Sequence, residues 1–150
     1  MRIAIVTDAW SPQVNGVVRT LQAVCAELKS HGHEVMVVSP DQFRSLPCPT
    51  YPEIRLALTT AGAVGRRLTD FRPEAIHLST EGPLCAAARR WCLRKGLALL
   101  ELLADNGSMS LAQVERESGL NRTMAYRLLR VLGELGYVEH DPVRHQFGLG

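Results

Sequence analysis

The stretch that most constrains this chain is Gly82-Pro-Leu-Cys-Ala-Ala-Ala-Arg-Arg-Trp-Cys-Leu-Arg-Lys-Gly-Leu-Ala-Leu-Leu-Glu-Leu-Leu-Ala-Asp105. Pro83 suits a first helical turn, where its missing N–H has no intrahelical partner in any case, and Ala, Leu, Arg and Lys then carry a helix onward. Gly96 is the one weak point, at about 1 kcal/mol relative to Ala, so one long helix or two helices hinged at Gly96 both satisfy the pattern. Asp105-Asn-Gly107 is a C-terminal stop signal. Before this stretch strands alternate with helices, and after it the pattern is compact and mostly helical. Two sequence styles meet inside it, and each side has to be read separately.

On the first side, Arg2 to Thr7 is a short apolar, β-branched run. Val14 to Ser30 follows with helical spacing of Val17, Val18, Leu21, Val24, Cys25 and Leu28, and Glu34 to Ser39 gives another buried strand. Strand, helix, strand implies a right-handed parallel crossover. Glu53 to Leu58 reads as a third strand, Ala63 to Phe71 as a short helix and Glu74 to Ser79 as a fourth strand, with Pro40 to Pro52 as loop. A truncated Rossmann-like parallel sheet of about four strands is expected over residues 1–96, with an open edge at Glu74 to Ser79 that invites pairing with another chain. Gly16, after the first strand, would let a phosphate approach the backbone at a helix N-terminus, a signal no stronger than that of a tight turn.

On the second side, Ser110-Leu-Ala-Gln113 is a capping-box pattern opening a short helix, Gly119 ends it, and Asn121 caps a second helix running to about Leu135. Helix, tight turn, helix is the arrangement of a DNA reader. At about 100° per residue, Arg122, Thr123, Tyr126, Arg127 and Arg130 share an arc of about 140°, and Ala125, Leu128, Leu129 and Leu132 lie opposite. Tyr137-Val-Glu139 and Gln146-Phe-Gly-Leu149 read as two strands of a wing, with Arg144 and His145 near its tip. A solvated amphipathic helix and a hairpin that merely covers a core are the plainer readings of the same residues. The fold class expected is α/β plus winged helix, with residues 97–150 as a small winged helix-turn-helix domain.

Charge bears on this choice. Residues 1–96 hold 12 Lys and Arg against 8 Asp and Glu, and residues 97–150 hold 5 against 7. The second half is net negative, which argues against nucleic acid on charge alone. Asn121 to Val131, however, contains three arginines and no acid, and that local field is what a phosphate backbone would meet.

Other function classes find less support. Cys25, Cys48, Cys85 and Cys92 form no CxxC pair and no finger spacing with histidine, so idle thiols in a reducing compartment are expected and no metal site. No run of about 18 apolar residues occurs, and residues 1–7 are too short for a secretory signal, so the expected location is cytoplasmic with no membrane span.

Met1 to Asp8, Pro12-Gln-Val-Asn-Gly-Val17, His31-Gly-His-Glu-Val35, Val38-Ser-Pro40 and Ile76-His-Leu-Ser-Thr-Glu-Gly-Pro-Leu84 resemble the N-terminal domain of family 4 glycosyltransferases, of the bacterial α-mannosyltransferase type with the two-domain GT-B fold. The resemblance implies that Asn15 and Gly16 approach a donor diphosphate. In that family a C-terminal domain grips the nucleotide and supplies a Glu-x7-Glu motif, for which this chain has no room. The expectation is a vestigial site for a nucleotide-sugar, with no catalytic residues, no cofactor and no catalysis.

Gly96 to Asp105, Ser110-Leu-Ala-Gln-Val114, Gly119-Leu-Asn-Arg-Thr-Met-Ala-Tyr-Arg-Leu-Leu-Arg-Val-Leu132 and Gly136-Tyr-Val-Glu139 resemble the DNA-binding domain of IclR-family transcriptional regulators. That resemblance implies double-stranded DNA as partner and Asn121 to Arg130 as the recognition helix, with Arg122, Thr123, Tyr126 and Arg127 nearest the bases and Arg130 nearer phosphate, while the wing pattern lets Arg144 meet a sugar-phosphate strand. The family's effector domain is absent here, which leaves ligand response and a homodimer open. Arg94-Lys-Gly-Leu97 is acceptable in both families, so the chain reads as a chimera, natural or engineered. A glycosyltransferase fragment completed by another chain, and a scaffold without joint function, stand as the alternatives.

Overall fold

The computed structural model describes residues 1–150 and divides into two compact units, Met1–Trp91 and Cys92–Gly150. In the first, β1 (Arg2–Val6) leads to α1 (Gly16–Ser30) and β2 (Glu34–Val38). A single 3-10 turn at Pro40–Gln42 and two short strands, β3 (Ser45–Pro47) and β4 (Arg55–Ala57), follow. The unit continues through α2 (Ala61–Phe71) and β5 (Ala75–Leu78) into α3 (Pro83–Asn106). This last helix runs unbroken past Gly96, and the boundary between the units falls inside it, five residues before Gly96.

The first unit is α/β with a parallel sheet, but three of the four expected strands build it, in the order β2-β1-β5. Glu53 to Leu58, expected as the third strand of that sheet, instead contributes β4, which pairs antiparallel with β3 inside the stretch expected to be loop. Strand propensity says nothing about which strand lies opposite, and the nearby β3 offers a local antiparallel partner, with Ser45 opposite Ala57 and Pro47 opposite Arg55. The alternation of β1 splits the core in two. Ala4 and Val6 pack with Val64, Leu68, Leu84 and Ala88 on one face. Ile5 packs with Leu21 and Cys25 of α1 on the other. The outer edge of β2 is partly covered, because the Gln42 Nε2 donates to the Val37 carbonyl at 2.9 Å. β5 pairs with β1 alone.

The N-terminus of α3 is held by a residue from the far end of β1. Asp8 is buried, and its carboxylate accepts from the backbone N–H of Leu84 at 2.7 Å and of Cys85 at 3.1 Å, and from the Thr80 hydroxyl at 2.9 Å. Its own N–H donates to the Thr80 oxygen at 2.8 Å. A negative group on the first free amides of a helix is favourable both as a cap and against the helix dipole. The close approach requires glycine at position 82, since a Cβ there would lie 2.4 Å from the Asp8 carboxyl carbon. Gly82→Ala should therefore destabilise the first unit by about 2–3 kcal/mol in urea unfolding, in the range of overpacked cores; a change under about 0.5 kcal/mol would show that the loop yields freely.

The second unit completes its core with the later part of α3, then β6 (Met109–Ser110), α4 (Leu111–Ser118), α5 (Arg122–Glu134), β7 (Val138–Asp141) and β8 (Gln146–Leu149). Leu99, Leu103, Met109, Val114, Leu120, Ala125, Leu129, Val138 and Phe147 form its core. The hairpin β7-β8 gains a third, unanticipated strand, as β6 pairs antiparallel with β8 in the order β6-β8-β7.

Candidate nucleic-acid interface

α4 and α5 are fixed by caps legible in their sequences. Ser110 and Gln113 form the reciprocal capping box of α4, and Gly119 ends that helix at φ 67°, a conformation glycine adopts without a steric penalty. The Asn121 side-chain oxygen accepts from the Met124 N–H at 2.9 Å and starts α5. That bond defines Asn121 first as a cap, at the end of the helix rather than on its outer face.

Along α5, Arg122, Tyr126, Arg127 and Arg130 are exposed and Thr123 is half-buried, while Ala125 and Leu129 are buried and Leu128 and Leu132 pack on the core. The sequence count of acids along Asn121 to Val131 missed two neighbours. Arg122 lies 4.0 Å from Glu115 of α4, and Arg130 lies 3.2 Å from Glu134 one turn on. Tyr126 is also more constrained than an outward reader would be: its ring meets Phe147 of the hairpin edge to face, with centroids 6.5 Å apart. It fixes the helix to the wing as well as facing outward.

The wing tip is built by Asp141. Its Oδ1 accepts from the N–H of Val143 at 2.8 Å and of Arg144 at 3.0 Å, and Arg144 extends beside it, 3.9 Å from the carboxylate. The hydrogen bond from the Arg144 amide, then that from Val143, holds the Asp141 carboxyl below its ordinary range. Because the folded value is the lower one, this stabilisation is present above the ordinary aspartate value and is lost as pH falls through the lowered one. The amide shifts of Val143 and Arg144 should follow a single titration with a midpoint below that of a free aspartate, and a midpoint at or above it would contradict the turn.

Between helix and hairpin lies a pocket of about 400 Å³ lined by Ser110, Arg122, Tyr126, His140, His145 and Phe147 among others. His140 stacks on Phe147 at 4.6 Å, and His145 sits at φ 53°. His140 escaped the sequence reading because only the register of β7 on β8, which sets it opposite Phe147, brings it to this pocket. Arg144 is at the tip, as the hairpin pattern implied.

In the first unit, Asn15 and Gly16 begin α1. The Asn15 side-chain oxygen accepts from Val18 N–H at 3.0 Å, and Gly16 has open space around the position of a Cβ. No three His, Cys, Asp or Glu side chains come together as a metal site, and no helix is long and apolar enough to cross a membrane.

Fold and site together define an α/β unit joined to a winged helix-turn-helix. The model of Glycosyltransferase Family 4 matches residues 14–100, more than half of the chain, and the chain belongs to that family. The model of the IclR helix-turn-helix domain matches residues 92–142, so two families meet in this chain and overlap within α3. Similar proteins include GDP-mannose-dependent alpha-mannosyltransferases of Corynebacterium glutamicum, 28% identical over 104 residues that make up 59% of this chain and 25% of the relative, and of Mycobacterium tuberculosis, 29% identical over 98 residues, or 53% and 26%. The enzyme of that name from Mycolicibacterium smegmatis is 45% identical over 47 residues, 31% of this chain and 12% of the relative. The chain thus spans about a quarter or less of the length of these relatives.

Proposed function

We propose that the second unit binds double-stranded DNA, with α5 in the major groove and the β7-β8 wing against the sugar-phosphate backbone. The observation that carries the reading is the outward face of a firmly capped helix, bearing Arg122, Arg127 and Arg130 beside a wing bearing Arg144. The match of residues 92–142 to the model of the IclR helix-turn-helix domain supports it. In this arrangement Arg122, Thr123, Tyr126 and Arg127 lie nearest the base edges, Arg130 and Arg144 meet phosphate, and Asn121 sets the helix start. The acids beside Arg122, Arg130 and Arg144 do not prevent this. The pairs of Arg130 and Arg144 are exposed, and that of Arg122 joins an exposed guanidinium to a half-buried Glu115 at 4.0 Å; surface pairs contribute about 0–1 kcal/mol, so a phosphate replaces Glu or Asp at small cost. A cytoplasmic location, where duplex DNA is accessible in a bacterial cell, goes with this reading.

The test is fluorescence anisotropy of the whole chain against a random-sequence duplex over a salt series. Arg130 and Arg144 on phosphate give a slope of log K on log salt of about −2. Saturable binding with that slope is the expected result; no binding, or binding indifferent to salt, would refute the reading.

A second reading is favoured by the family of the first unit. Asn15 caps α1 and Gly16 leaves open space beside its N-terminus, and we propose vestigial binding of a sugar nucleotide's diphosphate there without transfer. Saturation-transfer NMR with GDP-mannose detects such contact, and transfer of mannose by the purified chain would overturn the absence of catalysis.

A further inference from the structure

The hollow bounded by α4, α5 and the β7-β8 hairpin joins an apolar wall to a rim of nitrogen donors. Its volume of about 400 Å³ lies in the range of small-molecule sites, which are mostly apolar with a few converging polar groups. Phe147, Leu111 and Ala112 form the wall, and Arg122, His140 and His145 stand at the rim. No acid lines it. A second hollow of about 400 Å³ shares Tyr126, His140 and Phe147 with the first, and the contrast is informative. Its cation, Arg130, is already matched by Glu134 at 3.2 Å, and both residues line it. In the first hollow Arg122 reaches Glu115 only at 4.0 Å, a surface pair that is easily exchanged. His145 is held at φ 53°, a left-handed conformation uncommon outside glycine, and its side chain makes no hydrogen bond or ion pair within the chain.

An anion therefore finds donors here, and the apolar wall decides which anion. Inorganic phosphate would leave Phe147, Leu111 and Ala112 uncovered. A carboxylate carried on one aromatic ring covers them and presents two oxygens to the planar fork of Arg122. Phe147 and Tyr126 already meet edge to face, and such rings accept a further ring in offset or edge-on contact. We infer that this hollow binds a small aromatic carboxylate, with its charge on Arg122, His140 and His145 and its ring against Phe147. The proposed DNA complex sets Arg122 near the base edges, so an occupied hollow withdraws one of the groups that hold the duplex. That antagonism depends on the DNA complex; the ligand site itself does not.

Benzoate is the probe, in an HSQC titration of the full chain that follows the imidazoles of His140 and His145 and the Phe147 ring. So small a ligand binds weakly, and saturating shifts with Kd on the order of 1 mM are expected. Acetate, which lacks the ring, and benzyl alcohol, which lacks the charge, should each bind at least about tenfold more weakly. Ala112→Leu fills the hollow from an exposed position and should abolish the shifts while circular dichroism stays native. In anisotropy at matched ionic strength, about 10 mM benzoate should weaken duplex binding by the native chain about tenfold and leave that of Ala112→Leu unmoved. Absence of saturable shifts in the folded chain would overturn the ligand site, as would shifts that persist in Ala112→Leu or an equal response to acetate. Saturable benzoate shifts with duplex binding unmoved would overturn the antagonism. A chain that takes benzoate but no duplex would keep the ligand site and refute DNA binding alone.

Discussion

Asp8→Ala is expected to lower the stability of the first unit by roughly 3 kcal/mol, one of the largest single-residue effects in the chain. The carboxylate is the acceptor for two backbone N–H groups at the start of α3 and for the Thr80 hydroxyl, all within 3.1 Å. Losing a cap at an exposed helix end costs about 1 kcal/mol. Here the cost is higher because the amides of Leu84 and Cys85 sit in a buried setting, where each unsatisfied donor costs about 1–3 kcal/mol, less whatever water recovers. Asp8→Asn keeps one acceptor oxygen and should cost about half as much. Both tryptophans, Trp10 and Trp91, lie in the first unit, so fluorescence in a urea titration reads this loss selectively. An unchanged midpoint for Asp8→Ala would mean that the link from β1 to α3 contributes nothing to stability.

The second large effect concerns DNA. Arg127→Glu with Arg130→Glu changes the charge of the α5 face by four and should reduce affinity for duplex by more than about a hundredfold at low salt, with a salt slope shallower by about one, the share of Arg130. Both side chains are exposed, and the buried residues of that helix, Ala125 and Leu129, are untouched. The unfolding midpoint should therefore move by less than about 0.5 kcal/mol. Thr123→Ala, by contrast, removes a hydroxyl that the proposed arrangement sets near the bases, without changing charge, and should alter preference among sequences more than affinity for a random one. Loss of binding together with loss of fold in the arginine variant would assign those residues to structure instead.

What the sequence disclosed followed the range of the interactions involved. The caps at Ser110 and Asn121 act within three residues and could be read directly, as could the apolar and cationic sides of α5. Partnerships made by tertiary folding were not legible. Asp8 reaches a helix 76 residues away, Glu115 comes beside Arg122 only because α4 packs on α5, and His140 meets the pocket only through hairpin register. The residues around β4 carried a strand signal that was correct in kind and misplaced in partner, since propensity says nothing about which strand lies opposite. In α3, local propensity allowed a hinge at Gly96, and the helix runs through it because apolar residues on both sides are packed, Leu84 and Ala88 before it and Leu99 and Leu103 after it.

The most direct test of the DNA-binding account is a 15N-HSQC titration of the chain with a short duplex at low salt. The account predicts that amide shifts move at Asn121 to Arg130 and at the wing tip from Asp141 to Gln146, while β1, α1 and β2 stay unchanged. Shifts centred on the first unit, or none at all at concentrations where the protein remains folded, would contradict it.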